Sequence, residues 1–325
     1  MARLARIWPL HLTTLALWLI IVPRSSWFIP GAQPHGFNIA LANVFLLQAW
    51  IPIFGVYFSF NAVSWSISTE MFFYILFPWL GKDWEKTWLR KSVIISICVF
   101  IILAIGNLLH VPPLNFNSND YQMSLTTHGI AYISPFVRIY EFVIGMCAAL
   151  IFRRIEPHTD KVPGSIWGML EILLVLEMGH TWAGGRHLSL AMFGSRETVA
   201  GFFVQSAPMA FLFAMIIVVY AIKKGLLSKL LSCKPLIILG EASFSLYLTH
   251  QMLLYPFQTH RAALSSIPVI IQFGIFFIFA IVASLILHYG VEKPCQRFII
   301  NRFSRGHIQQ NILSNHVTFN RVSME

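Results

Sequence analysis

Ionisable side chains are costly inside long apolar stretches, so each one found there marks a pairing or a chemical role. The run SWSISTEMFFYILFPWL, Ser64 to Leu80, carries a single acid, Glu70, among apolar and aromatic residues. Ser64, Ser66 and Ser68 suit the start of a helix, whose partial positive charge favours a carboxylate one to two turns in. The run SPFVRIYEFVIG, Ser134 to Gly145, sets Arg138 and Glu141 three apart on one helix face. Arg138 pairs either with Glu141 or across helices with Glu70, and Gly145 points to close helix packing. In LGEASFSLYLTHQMLLYP, Leu239 to Pro256, Glu241 stands near the start and His250 deep within. A lone histidine there is a hydrogen-bonded packing residue or a proton carrier. RLARIWP, Arg3 to Pro9, offers two guanidinium forks on one face, which grip a phosphate or simply fix topology. In HYGVEKPCQRF, His288 to Phe298, the Glu292-Lys293-Pro294 run reads as a helix terminator with an ion pair.

These residues need long apolar helices to position them. The chain of 325 residues is 57% hydrophobic and 11% charged, with mean hydropathy +0.68. Apolar runs near spanning length recur, and they are continuous rather than alternating, which argues against a β-barrel. Eight spans are expected, at 7–23, 65–81, 92–109, 133–153, 166–182, 199–222, 236–256 and 267–291. The fifth is weakened by Glu171 and Glu177. LANVFLLQAW, residues 41–50, is too short to cross and should lie at the interface or dip in. His180 and His187 should flank a short outer loop.

The net charge of +10 comes from basic residues in short loops, which speaks against nucleic-acid binding. With the N-terminus inside, Arg3, Arg6, Lys82–Lys91, Arg153–Lys161, Lys223–Lys234 and the segment from Lys293 on all fall on the inner side. Arg24, Arg186, Arg196 and Arg261 fall outside, and Arg138 within the membrane. The fold class is therefore all-α: a polytopic membrane protein of about eight transmembrane helices, with both termini cytoplasmic. Anionic membrane lipid is the partner of the excess charge. A single domain over 1–306 is followed by a tail, 307–325, expected in the cytoplasm. The four cysteines are not placed as disulfide pairs. Gly-rich phosphate loops, Gly-x-Ser-x-Gly elbows and metal-spaced histidines are absent, so no metal is expected.

Five segments in order resemble acyltransferase family 3 over about residues 1–300. RLARIWPLHL is similar to its Arg-x-x-Arg-Ile-x-Pro segment and VSWSISTEMFFYILFPWL to its Trp-Ser-x-x-x-Glu-x-x-Phe-Tyr segment. PFVRIYEFVIGM, LGEASFSLYLTHQMLL and VEKPCQRF resemble its Arg-x-x-Glu-Phe, Ser-Leu-Tyr-Leu-x-His and closing Glu-x-Pro segments. The resemblance implies transfer of an acyl group, usually acetyl, from cytoplasmic acyl-CoA to a carbohydrate hydroxyl. The acceptor would be lipopolysaccharide, exopolysaccharide or an oligosaccharide, and the enzyme would sit in the inner (plasma) membrane. It implies that Arg3 and Arg6 hold the donor phosphates and that Trp65 and Tyr74 line the acceptor side. Glu70, Arg138, Glu141 and His250 are the implied catalytic set. The family's first two spans, one bearing its expected catalytic histidine, are missing from the match, and His11 lies in the wrong helix to replace it. A non-enzymatic component of polysaccharide export is the alternative reading.

Overall fold

The computed structural model describes residues 2–115, 121–260 and 267–302. The expected tail, 307–325, lies outside them. Helices dominate: α1 (Ala2–Ile21), α2 (Gly36–Val44), α3 (Phe54–Tyr57), α4 (Trp65–Gly81), α5 (Trp84–Leu108), α6 (Pro135–Ile155), α7 (Gly164–Phe193), α8 (Val199–Ala221), α9 (Leu226–Leu231), α10 (Lys234–Thr259) and α11 (Val269–Leu287). Among the described residues extended pairing is limited to one isolated bridge, Ile53 with Leu125. The fold is all-α.

Five segments are long and apolar enough to cross a membrane: Arg3–Ile21, Trp84–Leu108, Gly129–Lys161, Val199–Ala221 and Val269–Arg302. The expected spans at 65–81, 166–182 and 236–256 are also helices, but α4 has only 17 residues, while α7 and α10 carry charged side chains.

Contacts divide the chain into two compact units, Met1–Val22 with the chain from Glu241, and Pro23–Gly240. In the first, α1 packs on the turn that follows α11. That turn, His288–Glu292, is a π-helical bulge, and helical backbone continues beyond it through residue 302. Pro294 therefore does not terminate the helix as the sequence suggested. The widened turn before it absorbs the missing N–H.

In the second unit, α4, α5, α6 and α8 share a core of Phe72, Leu80, Val99, Val137, Val143 and Val199 among others. Between helices in lipid such a core is held by close packing more than by exclusion of water. α5 begins well before the expected 92, directly after Asp83, which adopts a left-handed φ of 52°. Its polar first turns are put to use. Lys91 Nζ reaches back to the carbonyls of Leu80 at 2.9 Å and Lys82 at 2.5 Å, closing the end of α4.

α7 runs without a break through Gly184 and Gly185, where the sequence suggested an outer loop between His180 and His187. A Cβ on Gly185 would stand 2.4 Å from the backbone oxygen of Gln205 in α8. The glycine permits close helix contact rather than breaking the helix. The helix ends at Gly194, φ 64°, whose N–H bonds Leu190.

Segment 41–50 is not one continuous helix. It bends at Leu46, φ 57°, into a 3-10 turn, Gln48–Trp50, that lies on α4. Two of the three serines at the start of α4, Ser64 and Ser68, hold this turn rather than capping a solvated end. Ser64 Oγ accepts from Gln48 at 3.0 Å, and Ser68 Oγ donates to Leu46 at 2.6 Å and accepts from the Ala49 N–H. Ser66 Oγ donates to the Val63 carbonyl. A close loop had taken the place of water at this helix start. All four cysteines are free thiols.

Candidate active site

Within the second unit, the start of α6 gathers the densest polar group. Arg138 Nη2 donates to Glu141 Oε2 at 2.6 Å, and Nη1 to the Tyr132 carbonyl at 3.1 Å. Of the two acids that the sequence offered, Arg138 takes the one on its own helix, since spacing of three residues already places it within reach. The guanidinium lies over the rings of Tyr132, at 4.9 Å, and Trp65, at 5.3 Å. Those two rings are 5.4 Å apart. Glu141 Oε1 also accepts from Tyr140. The carboxylate is thus fixed by two donors, one of them charged, and remains part-exposed.

Arg138, Glu141 and Tyr132 line a cavity of about 350 Å³ with Trp182, Ser206 and Gly145. A Cβ on Gly145 would meet nothing within 4 Å. This glycine does not serve the close helix packing that the sequence suggested; it opens onto the cavity. Glu70 is exposed on α4, where its Oε2 accepts from Tyr74 at 3.4 Å.

One titratable residue of this region was overlooked in the sequence. His128 precedes a π-helical turn, Gly129–Ile133, that leads to Pro135 at the start of α6. Its Nδ1 lies 3.1 Å from the Tyr57 hydroxyl, and its ring packs on Tyr132, Phe58 and Phe202. Burial among these rings lowers its pKa to about 4, so the imidazole is neutral at physiological pH. His128 sits outside every apolar run, and nothing in its immediate sequence marks it.

The first unit holds a separate network. Glu292, 2% exposed, accepts from Arg6 Nε at 2.5 Å, Ser245 Oγ at 2.8 Å and His288 Nδ1 at 2.9 Å. A buried carboxylate with three donors, two of them charged or chargeable, is satisfied. Lys293 pairs with Glu241 at 2.9 Å, and Arg6 Nη2 also donates to the Glu241 carbonyl. The ion pair expected at Glu292–Lys293 is therefore realised with other partners, because the π bulge turns Glu292 inward. Arg6 is half-buried and Arg3 exposed, so the two do not form an equivalent fork. His250 donates from Nδ1 to the Tyr247 carbonyl at 2.7 Å, a packing bond that leaves Nε2 as the basic nitrogen. His11 is buried in α1. Among the described residues no three His, Cys, Asp or Glu side chains gather as metal ligands would.

A helical membrane protein with a half-buried Arg–Glu pair beside an aromatic-walled cavity fits a class that transfers groups. The family model described as an acyltransferase domain matches residues 1–289, and the chain belongs to that family. It is similar to Acyltransferase MdmB of Streptomyces mycarofaciens, 28% identical over 323 residues, covering 92% of this chain and 74% of the relative. No solved structure matches. The protein is a membrane acyltransferase.

Proposed function

We propose that the protein moves an acyl group, acetyl in the first instance, from cytoplasmic acyl-CoA to a hydroxyl of a carbohydrate. The observation that carries the acceptor side is the Arg138–Glu141 pair on the wall of a cavity shared with Tyr132 and Trp182. Arg138 offers only donors and Glu141 only acceptors, a combination that suits the paired hydroxyls of a sugar. The aromatic rings give the apolar faces of a sugar ring a surface to lie on.

In the reaction, the acceptor oxygen attacks the thioester carbonyl, the C–S bond breaks, and CoA leaves as the thiol carrying the hydroxyl proton. Arg138 and Glu141 orient the acceptor, with Trp65 and Tyr74 on its side. Orientation of the two reactants can supply several kcal/mol of the barrier lowering in such a transfer. Glu70, paired to Tyr74, is the carboxylate placed to receive a proton. Arg6, held by Glu292, presents its remaining guanidinium edge to donor phosphate, and exposed Arg3 adds charge. His250, in the same unit as Arg6, donates from Nδ1 to Tyr247 and leaves Nε2 free of that bond. The distribution of Lys and Arg supports eight spans with cytoplasmic termini; the proposed setting is the inner membrane, and the proposed acceptor lipopolysaccharide, exopolysaccharide or an oligosaccharide.

The test is labelled acetyl-CoA supplied to membranes that contain the protein. Label appears on glycan, and Glu70→Gln sharply lowers it at equal protein level. Saturable glycan passage with no label transferred would favour the export component instead.

A further inference from the structure

A second cavity, of about 590 Å³, lies between α5, α6, α7 and α8. Its walls are apolar: Ile95 and Trp88 of α5, Val143 and Ala148 of α6, Leu174 of α7, Phe211 of α8. Ser92 and Cys147, two of its few polar groups, stand 3.8 Å apart and serve each other. A third, Tyr140, turns its hydroxyl to Glu141 of the polar cavity. Ile144 and Ala214 line both cavities, so the two spaces abut on opposite sides of these side chains. Tyr140 links the two, lining the apolar cavity while its hydroxyl bonds Glu141 on the wall of the polar one.

We infer that the acceptor is an amphiphile, with its hydroxyl-bearing head at Arg138 and Glu141 and a hydrocarbon tail of several carbons in the apolar cavity. This rests on the reading of the polar cavity as the acceptor site. The volume is within the roughly 300–1,000 Å³ of ligand pockets, and such pockets combine apolar walls with a few convergent polar groups. Here both parts are present, with Ile144 and Ala214 as their shared wall, and they differ sharply in polarity. A free sugar would leave the larger part empty. A bare hydrocarbon would leave Arg138 and Glu141 without a ligand.

The experiment uses the full chain in membranes, acetyl-CoA as donor, and methyl and octyl glucosides as acceptors. Each added methylene should raise kcat/KM about two- to fourfold, so over the seven methylenes that octyl adds to methyl the octyl compound is preferred by at least about a hundredfold. Cys147→Phe and Ala148→Phe each fill the apolar cavity. Either should cut the octyl-over-methyl preference at least about tenfold. Bilayer partition is the same for each protein, so it cancels in this comparison. Full retention of the preference in both folded variants would show that the tail lies in bulk lipid, and the inference fails. A shift instead in preference between acetyl- and hexanoyl-CoA would assign the cavity to the donor chain, which also overturns it.

If neither glucoside is acylated by the unaltered protein, the carbohydrate reading of the acceptor falls. Octyl glucoside with a diazirine at the tail end then decides the cavity by itself. Labelling of α5 and α6 that Cys147→Phe abolishes supports a tail site, and scattered labelling refutes it.

Discussion

Arg138 does three things at once: it pairs with Glu141, bonds the Tyr132 carbonyl and lies over two aromatic rings. Lysine keeps the charge but loses the planar fork. Arg138→Lys should lower transfer about ten- to a hundredfold at unchanged protein level, and Arg138→Ala further, as read by label on the acceptor. Glu171 gives a structural test. It is fully buried and accepts the N–H groups of Leu227 and Ser228, while a Cβ on Gly225 would stand within its carboxyl group. Gly225→Ala should cost about 1–3 kcal/mol by overpacking. In a Glu171→Ala background most of that cost should vanish, so thermal unfolding of the double variant is non-additive. His128 makes stability depend on pH. Its folded pKa, about 4, lies below the ordinary 6.5. The unfolded chain therefore binds the extra proton first, and stability falls as pH drops from 6.5 towards 4, by at most about 3 kcal/mol at ~1.36 kcal/mol per unit. His128→Gln should flatten unfolding temperature across that window. An unchanged slope would remove His128 as its source.

At the scale of elements, α7 and α8 have the most extensive contact in the structure, and Gly185 sets how closely they approach. Gly185→Leu should force them apart and lower the unfolding temperature, while Gly184→Leu, whose Cβ position is open, should be mild. The same pair shows why the sequence misled about α7. Two adjacent glycines are a turn signal in local terms, yet close approach to α8 uses the same residue type. The serines of α4 mislead in a similar way. Three hydroxyls at a helix start suit solvated caps, but the preceding loop folds over Ser64 and Ser68 and takes their hydrogen bonds. By contrast, α4, α6 and α8 were legible nearly to the residue, because each follows a clear start: Ser64, Ser134-Pro135 and Thr198.

At the scale of the whole molecule, the positive-inside rule predicts an orientation from the charge distribution. Cys233 lies in the basic stretch assigned inside, and Ser195 in the loop assigned outside. In intact cells a membrane-impermeant thiol reagent should label Ser195→Cys, and should reach Cys233 only after lysis. The reverse pattern would invert the topology and with it the side on which the acceptor meets Arg138.

The sequence by itself determined what depends on short-range periodicity and composition. Long apolar runs can only be helices in lipid, the basic loops predict how they are oriented, and five ordered motifs name the family. The i, i+3 spacing of Arg138 and Glu141 was sufficient to pair them, since helix geometry alone brings them together. Only the tertiary structure decided which distant groups share an environment. Glu292 turns inward to Arg6, Ser245 and His288 because a π bulge rotates it, and a bulge has no local signature. His128 becomes a neutral, buried imidazole because Tyr57, Phe58, Tyr132 and Phe202, scattered over about 145 positions, close around it. The abutting cavities exist only where four helices leave space, and the positions of gaps are set by packing, which no single segment encodes.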